Sequence, residues 1–255
     1  MKYGYVFTYD EKKIFSEISF CKKHFDFLEL TLKLEGLDSL NSRAKTFLKS
    51  FNIVGHLDWS INLSEYNGRE ISKAIKLISL FKEIGTEKVT IHPSYNEVLD
   101  VKEIIENDIK SLNKISNFCK RKGLQLMLEN TTYNPFNKSS VIKEILNEVP
   151  YLTLTLDIGH VLKTSRVELK DFLKLGEKIN HIHIHDVFNS IDHLFFSHKL
   201  KLKKIIKKVK NIGYDGTISF ECFSVVRSKK IINLEDDERR NELLNHLFVV
   251  KREIK

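Results

Sequence analysis

Proline, glycine and cysteine are all scarce in this chain of 255 residues, at three, ten and three copies. So little proline and glycine excludes a collagen-like or a low-complexity disordered chain, since both need these residues in bulk. The three cysteines, Cys21, Cys119 and Cys222, are an odd number at wide spacing with no CxxC pair. Reduced, buried thiols are expected in place of a disulfide framework. No apolar run approaches the roughly 18 residues that a membrane-spanning helix requires. Met1 to Asp10 has neither the long apolar stretch nor the small-residue cleavage site of a signal peptide, so a cytoplasmic location is expected and a membrane is not.

What is present is ordinary for a globular chain: 42% hydrophobic and 30% charged residues, enough for one packed core. The net charge of +8 permits a polyanionic partner, but most of it is lysine. In the densest run, Lys199 to Lys210, the residues Leu202, Ile205, Ile206 and Val209 fall at the spacing of a helix's buried stripe. Its lysines are therefore read as a solvated face and not as a phosphate-binding patch.

Short β-branched or aromatic runs alternate with longer amphipathic ones, the rhythm of βα units. Eight strands are expected: Tyr3 to Thr8, Asp26 to Thr31, Ile53 to Leu57, Val89 to His92, Gln125 to Asn130, Leu152 to Asp157, His181 to Asp186 and Thr217 to Cys222. Helical patterns lie between them, as at Ser72 to Glu83, Val101 to Lys122 and Lys201 to Lys210, several closing on a glycine: Gly85, Gly123, Gly213. Eight such units close a barrel, whereas an open doubly wound sheet would carry a Gly-rich phosphate loop after its first strand, and none is present. The expected fold is a single (β/α)8 TIM barrel over residues 1–255 with its active site at the C-terminal ends of the strands. Strand parity says which way the side chains face. His181, His183 and His185 alternate with Ile182 and Ile184, Thr153, Thr155 and Asp157 with Leu152, Leu154 and Leu156, and Ser219 and Glu221 with Ile218 and Phe220. The aliphatic face should meet the helices and the polar face the barrel interior.

Late in their strands stand Glu29, His56, His92, Glu129, Asp157, His183 and Glu221, joined by His160 and His193 from loops. Any one of them is compatible with a satisfied core residue. Converging on one barrel mouth, carboxylates and imidazoles would repel or stay undersolvated unless a cation neutralised them. A donor set of nitrogen and oxygen without thiolate suits zinc, manganese, cobalt or iron. In Asp157-Ile158-Gly159-His160 the glycine's backbone freedom is expected to turn His160 back over the site, and the plainer role for Asp157 is a helix cap.

Together these segments resemble the xylose-isomerase-like TIM barrel superfamily, which includes endonuclease IV and many sugar and sugar-phosphate isomerases and epimerases. The resemblance runs from about Phe25 to Cys222. It is carried by Gly55-His56-Leu57-Asp58-Trp59 with Asn62-Leu63, by Thr90-Ile91-His92-Pro93, Leu128-Glu129-Asn130-Thr131, Leu156-Asp157-Ile158-Gly159-His160, Ile182-His183-Ile184-His185-Asp186 and Phe220-Glu221-Cys222. It implies that His56, His92, Glu129, Asp157, His160, His183, His193 and Glu221 are metal ligands, with Glu129 bridging. Asp192 directly precedes His193, where the family separates the pair by one residue.

Two activities are implied by the resemblance. The expected one is endonuclease IV-like hydrolysis of phosphodiesters at abasic sites in damaged DNA. Its cluster of up to three metals would employ the extra histidines, and Trp59 would stack on or wedge beside a base. The alternative is a sugar or sugar-phosphate isomerase or epimerase with one metal, Glu129 and Glu221 as ligands and catalytic acid/base pair, and Arg227 with Lys229 and Lys230 binding a phosphate. A barrel that binds without turnover is disfavoured, because nearly every ligand position is filled. The expected cofactor is one to three divalent ions, zinc, manganese or cobalt.

Overall fold

The way each strand splits into an aliphatic and a polar face decides how the sheet closes, because the polar face is too rich in ionisable groups to lie against helices. The computed structural model, which describes residues 1–35 and 40–252, shows the result. Strands β1 (Lys2–Thr8), β2 (Leu28–Leu32), β3 (Ile53–Leu57), β4 (Lys88–Ile91), β5 (Gln125–Glu129), β6 (Leu152–Asp157) and β7 (Ile179–Ile184) run parallel. The eighth barrel strand, β10 (Thr217–Phe220), pairs with both β7 and β1 and closes the barrel.

The outward residues Leu28, Leu30, Leu126, Leu128, Leu152, Leu154, Leu156, Ile182, Ile184 and Ile218 are buried in one apolar cluster with the inner faces of the helices. Each such side chain contributes roughly 1.5–3 kcal/mol by leaving water. Helices α1 (Ile14–His24) and α2 (Ser42–Leu48) bring Ile14, Ile18, Ala44 and Leu48 to this layer. Helix α3 (Gly68–Glu83) adds Ile71, Ala74, Leu77, Ile78 and Phe81, α4 (Val101–Lys122) adds Ile104, Leu112 and Ile115, and α5 (Ser139–Glu148) adds Ile142 and Ile145. Inside the barrel, among the described residues, Phe27, Val54 and Met127 form a separate apolar cluster. These stand two residues before Glu29, His56 and Glu129, so they form a floor one layer beneath them.

Several local signals act as anticipated. The Asp100 side chain accepts from the Lys102 amide to start α4, and Gly123 ends it in the left-handed region at φ +64°. Helix α3 begins four residues earlier than its apolar periodicity indicates, because the Asn67 side chain accepts from the Arg69 amide and caps it there. Helix α8 (Lys199–Asn211) buries Leu202, Ile205, Ile206 and Val209, which leaves its lysines on the outer side. The three cysteines are free and buried. Among the described residues no helix is long and apolar enough to cross a membrane.

A second sheet is present that the sequence pattern does not signal. Strands β8 (Asp186–Phe188), β9 (Ile191–Leu194), β11 (Ser224–Arg227) and β12 (Lys230–Asn233) form it in the order β12-β11-β9-β8. Its two hairpins turn on Asn189-Ser190 and Ser228-Lys229, all four residues at positive φ. Two-residue turns of that kind are normally signalled by Asn-Gly or Asp-Gly, and neither pair contains glycine.

Candidate active site

The strand register brings four ionisable side chains to one level of the mouth. Asp157 on β6 is paired with His183 on β7, Ser219 on β10 is paired with the same His183, and Glu129 ends β5 beside Thr155 of β6. Glu221 follows β10 directly. Nδ1 of His183 lies 3.2 Å from Glu129, 3.1 Å from Glu221 and 3.7 Å from Asp157. One donor atom from each of these four buried residues lies within 4.8 Å of the others.

Around this group the structure places every other ligand candidate. His92 Nε2 is 3.1 Å and His56 Nε2 3.6 Å from Glu129, and the three form a second possible ligand group. His160 Nδ1 is 3.6 Å from both Asp157 and Glu129, and His193 Nε2 is 3.6 Å from Glu221. A third group, His160, His185 and His193, includes a residue absent from the expected ligands. His185 Nε2 lies 3.1 Å from Asp157, and its ring stacks on that of His193 at 4.4 Å between centroids. The signal for it was present in strand parity, since it shares a face with His183. Glu29, flagged only by its late position in a strand, is fully buried against His181 and His183.

Asp157 is both a helix cap and a member of the cluster. Its Oδ1 caps α6 (Ile158–Thr164) by accepting from the His160 amide at 2.6 Å, while Oδ2 faces His183 and His160. The expectation for Gly159 needs correction. Its φ is not positive, so unusual backbone geometry is not what it supplies. A Cβ there would stand 2.1–2.3 Å from three ring atoms of His185, so the glycine supplies space. Asp192 is engaged elsewhere, 2.8 Å from Lys163 and 3.2 Å from His193.

The residues fit a divalent cation. Five buried atoms here have no hydrogen-bond partner among the described residues: both ring nitrogens of His56, Nδ1 of His92, Oε2 of Glu129 and Oε2 of Glu221. Each such atom costs about 1–3 kcal/mol if nothing engages it. Carboxylate oxygen with imidazole nitrogen is the donor chemistry of zinc, manganese and cobalt. Burial opposes charge throughout the cluster; it prevails at His56, whose imidazole is held below its ordinary value, while opposite partners outweigh it at Glu129, Glu221 and His193. His183 and His92 hold Glu129 well below the carboxylate range, and His193 and His183 do the same for Glu221. His193 rises to about 11 despite its burial, chiefly through Glu221 and Asp192.

Above the cluster opens a cleft of about 470 Å³ whose walls include Trp59, Tyr133, Phe223, Lys33 and Thr31. Trp59 is 71% exposed at its rim. Arg227 is not in its lining and lies 3.5 Å from Glu238. A larger groove, of about 660 Å³, runs outside the barrel between α7 (Glu168–Leu173) and α8 and contains none of the proposed ligands, so size does not locate the chemistry.

The segment after His92 is held by an unusual acid. Asp108, fully buried on α4, accepts from the Ser94 amide at 3.1 Å while its other oxygen has no partner among the described residues. Burial raises its carboxyl well above the usual value, so the folded state retains a proton that the unfolded chain releases near pH 3.8. The neutral form therefore stabilises the fold at low pH, and this contribution is lost as pH rises through the folded value. Asp108→Asn, which is neutral throughout, should unfold at a higher temperature than the wild type at pH 8, with the difference shrinking toward pH 4. Melting curves at the two pH values check this, and an equal difference at both would exclude a titrating Asp108.

Known proteins share this architecture. The xylose isomerase-like TIM barrel family matches residues 18–245. An uncharacterised protein of Methanocaldococcus jannaschii is 32% identical over 163 residues, which cover 60% of this chain and 64% of that protein, so less than two thirds of the relative's length is spanned. Fructoselysine 3-epimerase of Shigella flexneri is 23% identical over 210 residues, 76% of this chain and 75% of the epimerase. The crystal structure of a D-tagatose 3-epimerase-like protein superposes over 100% of both chains with a TM-score of 0.75 and 25% identity.

Proposed function

The chain belongs to the xylose isomerase-like TIM barrel family and is an enzyme, and from that premise we propose that it epimerises or isomerises a small ketose or ketose derivative with the help of one divalent cation. The observation that carries this reading is the convergence of Glu129, Asp157, His183 and Glu221 on one point beneath the cleft. These four would hold the ion. Bound there, a divalent cation supplies Lewis-acid stabilisation of the charge that develops on a carbonyl oxygen as the neighbouring carbon loses its proton.

The protein's own groups move the proton. Glu129 and Glu221 come from strands separated by two others in the barrel order, so they reach a bound sugar from different sides. One carboxylate takes the proton from the carbon next to the carbonyl. The other returns one to the opposite face, and must enter the cycle protonated. His92, 3.1 Å from Glu129, and His193, 3.6 Å from Glu221, are the adjacent proton donors. Trp59 at the rim offers a flat apolar surface for the C–H face of a sugar.

The expectation of abasic-site cleavage gives way to its alternative. One of the relatives is named as a fructoselysine 3-epimerase, and one similar structure as D-tagatose 3-epimerase-like. The extra histidines that favoured a nuclease, His56, His92, His160 and His193, lie 3.1–3.6 Å from Glu29, Glu129, Asp157 and Glu221, so contact with those carboxylates is a role for them that a single-ion site leaves in place. Purified protein should bind one divalent ion per chain. In heavy water it should incorporate deuterium next to the carbonyl of a ketose drawn from a panel of ketohexoses, their phosphates and fructosyl amines, followed by proton NMR. Cutting of an abasic duplex with no exchange into any ketose would overturn the proposal.

A further inference from the structure

An imidazole can offer a lone pair to a cation from only one nitrogen at a time, so the usefulness of His183 depends on where its proton sits. The barrel interior contains an arrangement that decides this. Lys88, at the N-terminal end of β4, can only donate, and its Nζ donates to Thr217 Oγ1 at 2.5 Å. The Thr217 hydroxyl lies 2.6 Å from His181 Nδ1 and has a proton to give it, and Glu29, an acceptor-only carboxylate on the other side of the ring, settles the direction. His181 accordingly carries its proton on Nε2 and donates it to Glu29 Oε2 at 2.8 Å. The same carboxylate faces Nε2 of His183, at 2.9 Å from Oε1 and 3.0 Å from Oε2. An ionised carboxylate only accepts, so His183 must also be protonated on Nε2.

Nε2 of His183 is thereby committed to Glu29, and Nδ1 is the atom that meets Glu129, Asp157 and Glu221. Facing carboxylates, Nδ1 donates in the ion-free protein, and it is the nitrogen that would release its proton to offer a lone pair to a cation. Glu29 is fully buried, committed on both oxygens, and too deep to border the cleft. Glu29, His181 and His183 could be read as a metal-binding group of their own. Separations of 2.8–3.0 Å are those of hydrogen bonds and account for all three without an ion.

We propose that Glu29, steadied from below by His181, is a positioning residue of the metal centre: it fixes the tautomer and ring plane of His183 so that Nδ1 is offered to the cation. This rests on the metal reading of the four-residue group given above. Outer partners of this kind typically account for about 10–100-fold in metal affinity. A glutamine at position 29 can accept from one imidazole but presents an N–H pair to the other, so it cannot hold both.

The test is cation binding by titration calorimetry with manganese and cobalt, on full-length wild-type protein, Glu29→Gln and Thr217→Val. Affinity should fall about 10–100-fold in Glu29→Gln with little change in melting temperature of the ion-free protein. Thr217→Val, which loosens His181 but keeps Glu29, should fall by a smaller factor. Long-range nitrogen–proton NMR of the wild-type imidazoles supplies a readout independent of any variant, and should find His183 protonated on Nε2. A wild-type protein that takes up no cation overturns the metal reading and this inference together. A wild-type protein that binds while folded Glu29→Gln binds equally well, or a His183 protonated on Nδ1 in the cation-bound state, overturns this inference alone.

Discussion

Glu129→Gln and Glu221→Gln should each lose ketose turnover by about 10²–10⁴-fold, the range removed with a general acid or base, while keeping a folded barrel. The amide is nearly isosteric with the carboxylate, so packing is preserved and the proton-accepting oxygen is what disappears. If the two residues serve opposite faces of the substrate, the variants differ in an informative way. Each should still exchange solvent deuterium into one epimer, the one whose proton faces the remaining carboxylate, and fail with the other. Parallel NMR time courses on the two epimers of a responsive ketose measure this. Full turnover in either variant would remove that residue from the reaction. Loss of both exchanges in both variants would mean that they act only in holding the cation.

Gly159→Ala should be among the most damaging small substitutions in the chain. The added methyl would lie 2.1–2.3 Å from the His185 ring, far inside any tolerated contact. The ring has nowhere to retreat: its Nε2 faces Asp157, its Nδ1 accepts from the His193 amide at 3.0 Å, and its face is stacked on His193. Overpacking of this kind costs about 1–3 kcal/mol, and here the strain is delivered to residues that line the metal group. Loss of stability should therefore be accompanied by loss of cation binding. Gly68→Ala is the control, since a Cβ there meets nothing within 4 Å at the start of α3. Urea unfolding of both variants decides the matter, and equal midpoints would show that the wall behind His185 yields.

The barrel and most of its mouth were legible in the sequence because period-two alternation is a direct imprint of the two environments a strand separates. Thr155 and Asp157 against Leu154 and Leu156 could point only one way once helices were expected outside. Two kinds of information were not legible. Hairpin turns built on Asn189-Ser190 and Ser228-Lys229 adopt positive φ without glycine, and the three- and four-residue strands beside them are too short for alternation to register. The roles of Glu29, His181 and His185 also escaped, because parity shows that they face inward but not which inward groups touch. Their partners lie up to 154 residues away, and closure of the barrel determines the pairing. Gly159 shows the same limit, since a glycine kept for conformation and one kept for space look identical in sequence.

The second sheet joins the connection after β7 to the connection after β10. Ser224 is paired with Leu194, the Phe195 amide donates to Ser224 at 2.8 Å, and the Phe223 amide donates to His193 at 2.9 Å. Two successive connections are thereby stitched into one panel that carries His193 and Phe223 on a shared frame. The opposite bank of the cleft, with Trp59 and Tyr133, is made of irregular segments after β3 and β5. The two banks therefore transmit a disturbance differently. A change on the irregular bank stays local, whereas a shift anywhere in the stitched panel is handed through its backbone hydrogen bonds to His193 and from there to Glu221.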